Sequence, residues 1–150
     1  MFTFRCTRKL LFRLGAEPVS DAPTSTTRLG DWYGNIYYTR SAHLVVAVSA
    51  STLLPVIVPA VDTATVIPRL AVAAGEVMRA IGIPEATVSA ELREMQEGVI
   101  AKTASRKVLG SLNEFMFMAG HAFSDGTSPH EVSLWLAKTP CTPLGGRYPI

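Results

Sequence analysis

The sequence predicts an α+β domain, with a small, mainly antiparallel sheet of about four to five strands packed against four to five helices. Three observations carry this expectation. Short runs of β-formers fill the N-terminal part of the chain. Apolar residues then recur at helical spacing over 66–81 and again over 108–122. The length, 150 residues, suits one domain spanning 1–150, large enough to bury about two thirds of its unfolded surface.

The elements follow in order. Residues 2–6 alternate weakly and read as a strand, with Cys6 buried in it. Thr7 caps a short helix whose Leu10, Leu11 and Leu14 share one face, and Gly15 supplies its left-handed stop. Residues 16–29, rich in Pro, Ser and Thr, form a surface loop. Trp32, Tyr33, Ile36, Tyr37 and Tyr38 suit a strand over 31–40, and a turn at Ser41-Ala42 leads into a hairpin partner over 43–49. The stretch 44–61 is uncharged. Pro55 and Pro59, with Ser49, Ser51 and Thr52 near its centre, make it two buried strands joined by a turn, the second over 53–58, and not a membrane span.

Asp62 opens the clearest helix, with Pro68 in its first turns and Gly82 at its end. Pro84 starts another, with Val88, Leu92 and Met95 inward and the glutamates outward. Residues 99–103 read as a short strand. Residues 106–123 form a long apolar helix: Val108, Leu112, Phe115, Ala119 and Ala122 make one row, widened by Leu109, Met116 and Phe123. Ser128-Pro129-His130-Glu131 is a capping box with proline at the first helical position, opening a helix that buries Val132, Trp135 and Leu136. An irregular tail follows from 139 to 150.

Composition excludes more than it assigns. An apolar fraction of 48% and a charged fraction of 17% are those of a folded chain. The net charge of +2 names no partner. Its distribution is uneven: Arg5, Arg8, Lys9 and Arg13 cluster without an acid, while Glu85, Glu91, Glu94 and Glu97 are relieved only by Arg93. The basic cluster could hold an anion or a nucleic-acid backbone, and its simpler reading is a solvated helix face. Two cysteines, Cys6 and Cys141, make no disulfide framework and suit a reducing, cytoplasmic setting. His43, His121 and His130 lack metal-ligand spacing, and His121 reads as a capping or solvated residue, so neither a metal nor a cofactor is expected. Walker, dinucleotide and nucleophile-elbow motifs do not occur.

One block invites chemistry. Lys102 and Thr103 end a strand, Ala104-Ser105 form a turn, and Arg106 opens the long helix. A helix start offers free amides and partial positive charge, and Lys102, Arg106 and nearby hydroxyls would add to an anion site. The simpler reading makes Ser105 an N-cap and leaves Arg106 and Lys107 solvated. Ser111 and Asn113 are polar residues in an otherwise apolar helix; they bond a neighbouring element or line a pocket. Asp31, among Trp32, Tyr33 and Asn35, is a capped strand start or, if near Lys102 or Arg106, part of a charged centre.

Several blocks, in this order, carry a resemblance: Arg5-Cys6-Thr7-x-Lys9-Leu10-Leu11, Leu29-Gly30-Asp31-Trp32-Tyr33-x-Asn35, Val58-Pro59-Ala60, Lys102-Thr103-x-x-Arg106 with Leu109-Gly110-Ser111-Leu112-Asn113-x-Phe115, and Thr139-Pro140-x-x-Pro143-Leu144. Together the chain resembles an uncharacterised family of small prokaryotic proteins, a domain of unknown function. The resemblance implies that these polar blocks are the family's hallmark and brings no activity with it.

Two functions stay open. One is a binding or interaction protein using Lys102, Thr103 and Arg106, with Lys9, Asp31, Ser111 and Asn113, to hold an anionic ligand, a nucleic-acid backbone or a protein partner. The other is a small enzyme in which Lys102 and Arg106 hold an anionic substrate, Asp31 moves a proton, and Ser111 or Asn113 orients the substrate. Association into a homo-oligomer through the long helix is a third role the pattern allows.

Overall fold

The computed structural model describes residues 1–39, 43–123 and 128–137, with the backbone alone at 121–123. The chain runs β1 (Phe2–Cys6), α1 (Arg8–Leu14), β2 (Trp32–Tyr38), β3 (His43–Ser49), β4 (Pro55–Pro59), a 3-10 turn (Thr63–Thr65), α2 (Val66–Ala80), α3 (Glu85–Glu94), β5 (Gly98–Lys102), α4 (Arg106–Phe123) and α5 (Pro129–Ala137). The α+β class and the element count agree with expectation. The Ser41-Ala42 turn, Cys141 and the tail, and the side chains of His121, Ala122 and Phe123, lie outside the described residues.

The sheet is mixed, with order β4-β3-β2-β1-β5, and not mainly antiparallel. β2–β3 and β3–β4 are antiparallel, but β1 lies parallel to both β2 and β5. The reason is the connections. Short turns reverse the chain into antiparallel pairs, whereas α1 with the following loop, and α2 with α3, are crossovers that return it in the same direction. A run of β-formers carries no direction by itself.

Local chemistry sets the ends. The Thr7 hydroxyl accepts from the Leu10 amide at 3.4 Å, and Gly15 closes α1 at φ 62°. Ser128 Oγ accepts from the Glu131 amide at 3.2 Å to open α5. Between β3 and β4, Leu53 takes a left-handed φ of 57°. That conformation ends the turn and moves the start of β4 to Pro55.

Strand alternation splits the core in two. Phe2, Phe4, Cys6, Trp32, Ile36, Val45 and Ala47 face α1, α2 and α3. Tyr33, Leu44, Val46, Val48 and Ile57 face α4 and α5. Burying each large apolar side chain stabilises the fold by about 1.5–3 kcal/mol. Gly34 serves the first layer, because a Cβ there would meet the Phe4 ring at 2.5 Å.

Two side chains depart from expectation. Trp135 is 48% exposed, and Ser133 and Ala137 take its place in the buried face of α5. Glu91 is 4% exposed where an outward glutamate was expected. Its carboxylate accepts from the Arg28 amide at 2.6 Å and the Leu29 amide at 3.4 Å, latching the loop before β2 onto α3. Backbone donors replace the missing water.

β4 is an edge strand. The Ile57 amide points away from β3 and donates to Ser133 Oγ at 3.0 Å, and that hydroxyl donates to the Pro129 carbonyl at 2.8 Å. By the two-residue period, positions 55 and 59 face the same way, and both are proline. The outward side of β4 therefore offers no free amide at 55, 57 or 59. Among the described residues, no helix is long and apolar enough to cross a membrane.

Candidate functional site

The feature that gathers polar groups is the paired end of β1 and β5. The two strands run side by side and parallel, with Cys6 opposite Lys102. The chain leaves them toward opposite faces of the sheet. After Thr7 it enters α1, whose Leu10 packs with the first layer. After Ser105 it enters α4, whose Val108 packs with the second. Where neighbouring parallel strands send their connections to opposite sides, a crevice opens outside their carboxyl ends, and open α/β sheets bind ligands there.

Arg5 organises this end. Its neighbours Phe4 and Cys6 point into the first layer, so Arg5 stands on the other face. Its Nε donates to Asp31 Oδ2 at 2.7 Å, and its Nη1 donates to the Lys102 carbonyl at 2.8 Å. The second Asp31 oxygen accepts from Ser25 Oγ. Arg5 thus links the start of β2 to the end of β5, in a pair whose side chains are 21% and 24% exposed.

Tyr33 fixes the start of α4. Its ring is buried in the second layer, and its hydroxyl accepts from the Ser105 amide at 2.9 Å. Ser105 is the N-cap, with Oγ accepting from the Val108 amide at 3.2 Å and its carbonyl from the Leu109 amide at 3.1 Å. Among the described residues the amides of Arg106 and Lys107 have no acceptor and remain open at the helix end. Lys102, Arg106 and Lys107 are exposed around them, and Thr103 is half-buried. The Lys102, Arg106 and Lys107 side chains have no hydrogen-bond or ion-pair partner among the described residues.

The other candidates divide. Asp31 and Lys102 come together through Arg5, side chain to backbone carbonyl. Ser111 is 4% exposed, on the inner side of α4, away from this surface. Asn113 lies exposed on the outer side of α4, on the same helical stripe as Arg106 but two turns along. Lys9 sits 5.7 Å over the Tyr38 ring. Tyr38 stacks edge-on with His43 at 4.6 Å, and Arg13 Nη1 donates to His43 Nδ1 at 2.7 Å. Lys9 thus belongs to an aromatic cluster at the end of β2.

Sequence reasoning missed Arg5 and Tyr33 as organisers. Arg5 carried a signal, a charged residue between buried alternate positions of a strand. Asn35 Oδ1 accepts from the Thr7 hydroxyl at 2.6 Å, tying the α1 cap to β2. Gly30, at φ 74°, lies so near Ser51 that a Cβ would meet its hydroxyl at 2.5 Å. Most of the Leu29–Asn35 block is therefore accounted for by packing and by this polar network. Cys6 is buried, and burial pushes its thiol up to about 12. Among the described residues, no three His, Cys, Asp or Glu side chains form a group able to hold a metal.

A family model described as a domain of unknown function, DUF6933, matches residues 3–150. No curated protein and no solved structure matches the chain with significance.

Proposed function

The chain belongs to the DUF6933 family, a domain of unknown function, and from its own geometry we propose that it is a cytoplasmic binding protein that holds a phosphate-type anion at the paired ends of β1 and β5. The observation that carries this reading is the divergence of α1 and α4 from two adjacent parallel strands. At that point the α4 start presents two open amides beside the side chains of Lys102, Thr103 and Arg106. Arg5 and Asp31 serve as the frame, since each already engages the other. Asp31 accepts hydrogen bonds on both oxygens, from Arg5 and Ser25. That occupancy favours binding over a role for Asp31 in moving a substrate proton.

The phosphate is carried by a small molecule or by a nucleic-acid backbone, and the test separates them. Inorganic phosphate, a nucleoside monophosphate and a short single-stranded oligonucleotide are titrated while the amides of residues 103–107 are followed by NMR. Lys102→Ala and Arg106→Ala each weaken binding by about tenfold, the equivalent of about 1.4 kcal/mol. A nucleic-acid ligand also shows steep salt dependence and gains affinity with length. Unmoved amides at about 10 mM phosphate, well past any −4 kcal/mol site, or unchanged affinity in the double variant, refute the site.

A further inference from the structure

We propose that the outer face of α4 is the interface of a twofold dimer of this chain, centred on Gly110. Three glycines lie inside the long helices α2 and α4. Two are explained by the fold: a Cβ at Gly75 would meet Leu92 at 2.9 Å, and one at Gly120 would meet the Tyr37 hydroxyl at 2.5 Å. Gly110 is different. Among the described residues a Cβ there would meet nothing within 4 Å, its φ is not in the left-handed region, and it is exposed. A glycine inside a helix costs about 1 kcal/mol relative to alanine. Nothing among the described residues offsets that cost, whereas a second backbone approaching Gly110 from outside would.

The surroundings of Gly110 suit a second copy. It lies in a shallow groove of about 410 Å³ with Asn113, Glu114, Phe117 and Met118, and Phe117 is 72% exposed. The stripe from Arg106 to Met118 is about 18 Å long. It carries cations at one end, Arg106 and Lys107, and an acid one turn beyond the glycine, Glu114. In an antiparallel pair related by a twofold axis at Gly110, residues on the same flank of the stripe meet at opposite displacements. Lys107 and Glu114 share one flank, three residues before and four after the glycine. Lys107 of each copy then faces Glu114 of the other, so two ion pairs form by symmetry. On the opposite flank Arg106 faces Asn113 and Phe117. A parallel pairing would instead bring like charges together. This inference shares Arg106 with the anion site but does not rest on that site, because the Lys107–Glu114 pairs carry it and it uses neither Lys102 nor the amides of the α4 start.

The test is sedimentation of the full chain and two charge reversals. The parent chain associates to twice its mass within the measurable range, up to about 1 mM. Lys107→Glu and Glu114→Lys each sediment as monomers, because each single reversal sets like charges opposite one another. An equimolar mixture of the two variants regains the dimer mass, since the carboxylate introduced in one then faces the ammonium introduced in the other. Gly110→Leu is monomeric without a loss of melting temperature, because the site is open among the described residues. That pairwise rescue cannot arise from misfolding. A parent chain that stays monomeric overturns the proposal. So does a dimer that persists in both single variants, or a mixture that fails to reassociate.

Discussion

Replacing Glu91 by alanine tests how the loop ahead of the candidate site is held. The carboxylate is 4% exposed and is fixed by the Arg28 amide at 2.6 Å, with a longer bond from Leu29 at 3.4 Å. A hydrogen bond to a charged group contributes about 1.5–3 kcal/mol, and the longer one adds little. Alanine removes both acceptors, leaves the Arg28 amide without its partner and opens space under the loop, for a total of about 3 kcal/mol. In a chain of this size, each kcal/mol lowers the melting temperature by about 2–4 °C, so calorimetry should record a fall of about 9 °C. Glu91→Gln keeps one oxygen acceptor and most of the volume, and should lose roughly half as much. Glu94→Ala, on the same helix but exposed, should change little. A fall below about 3 °C for Glu91→Ala, or equal losses for Ala and Gln, would show that the carboxylate is not latching the loop.

Three further outcomes are expected. Tyr33→Phe removes the acceptor for the Ser105 amide, costs about 1 kcal/mol and speeds amide exchange at residues 105–107; unaltered exchange would detach Tyr33 from the α4 start. Cys6, in a Cys141→Ser background, stays unreactive toward a thiol reagent in the native state and reacts on unfolding; prompt native labelling would contradict a thiol pushed up to about 12 by burial. The same burial gives a pH signature. Above the ordinary thiol value of 9.0 the unfolded chain releases a proton that the native chain keeps, so stability falls as pH rises from there toward 12, by up to about 1.4 kcal/mol per pH unit, and Cys6→Val should flatten that slope.

What the sequence made legible was local. Thr7 and Gly15 bound α1, Ser128 opens α5, and the apolar row of α4 buries Val108, Leu112, Phe115 and Ala119 as its spacing required. These signals act within a turn or two of chain. The parallel partners of β1 were not legible, because pairing direction depends on crossovers that join distant segments. Glu91 illustrates the same limit. Its helical position looked outward, but a loop 62 or 63 residues earlier supplies the amides that allow its burial. At the candidate site, the Lys102–Arg106 strand–turn–helix was legible from its turn and cap residues. Its frame was not, since Arg5, Asp31 and the Lys102 carbonyl meet only once β1, β2 and β5 lie side by side. Asn113 and Ser111, two residues apart, point to opposite sides of one helix, which sequence proximity alone conceals.

The proline-flanked edge of β4 has a consequence for how copies of this chain meet in concentrated solution. Sheet-to-sheet growth, the route to fibrils and swapped strands, begins when an incoming strand finds a row of donors to zip onto. Here the row is two prolines and one amide already held by Ser133. Zipping has no foothold on that side, so self-association along β4 is closed. Encounters at that edge are left to side chains, whose contacts build no continuous ladder from one molecule to the next.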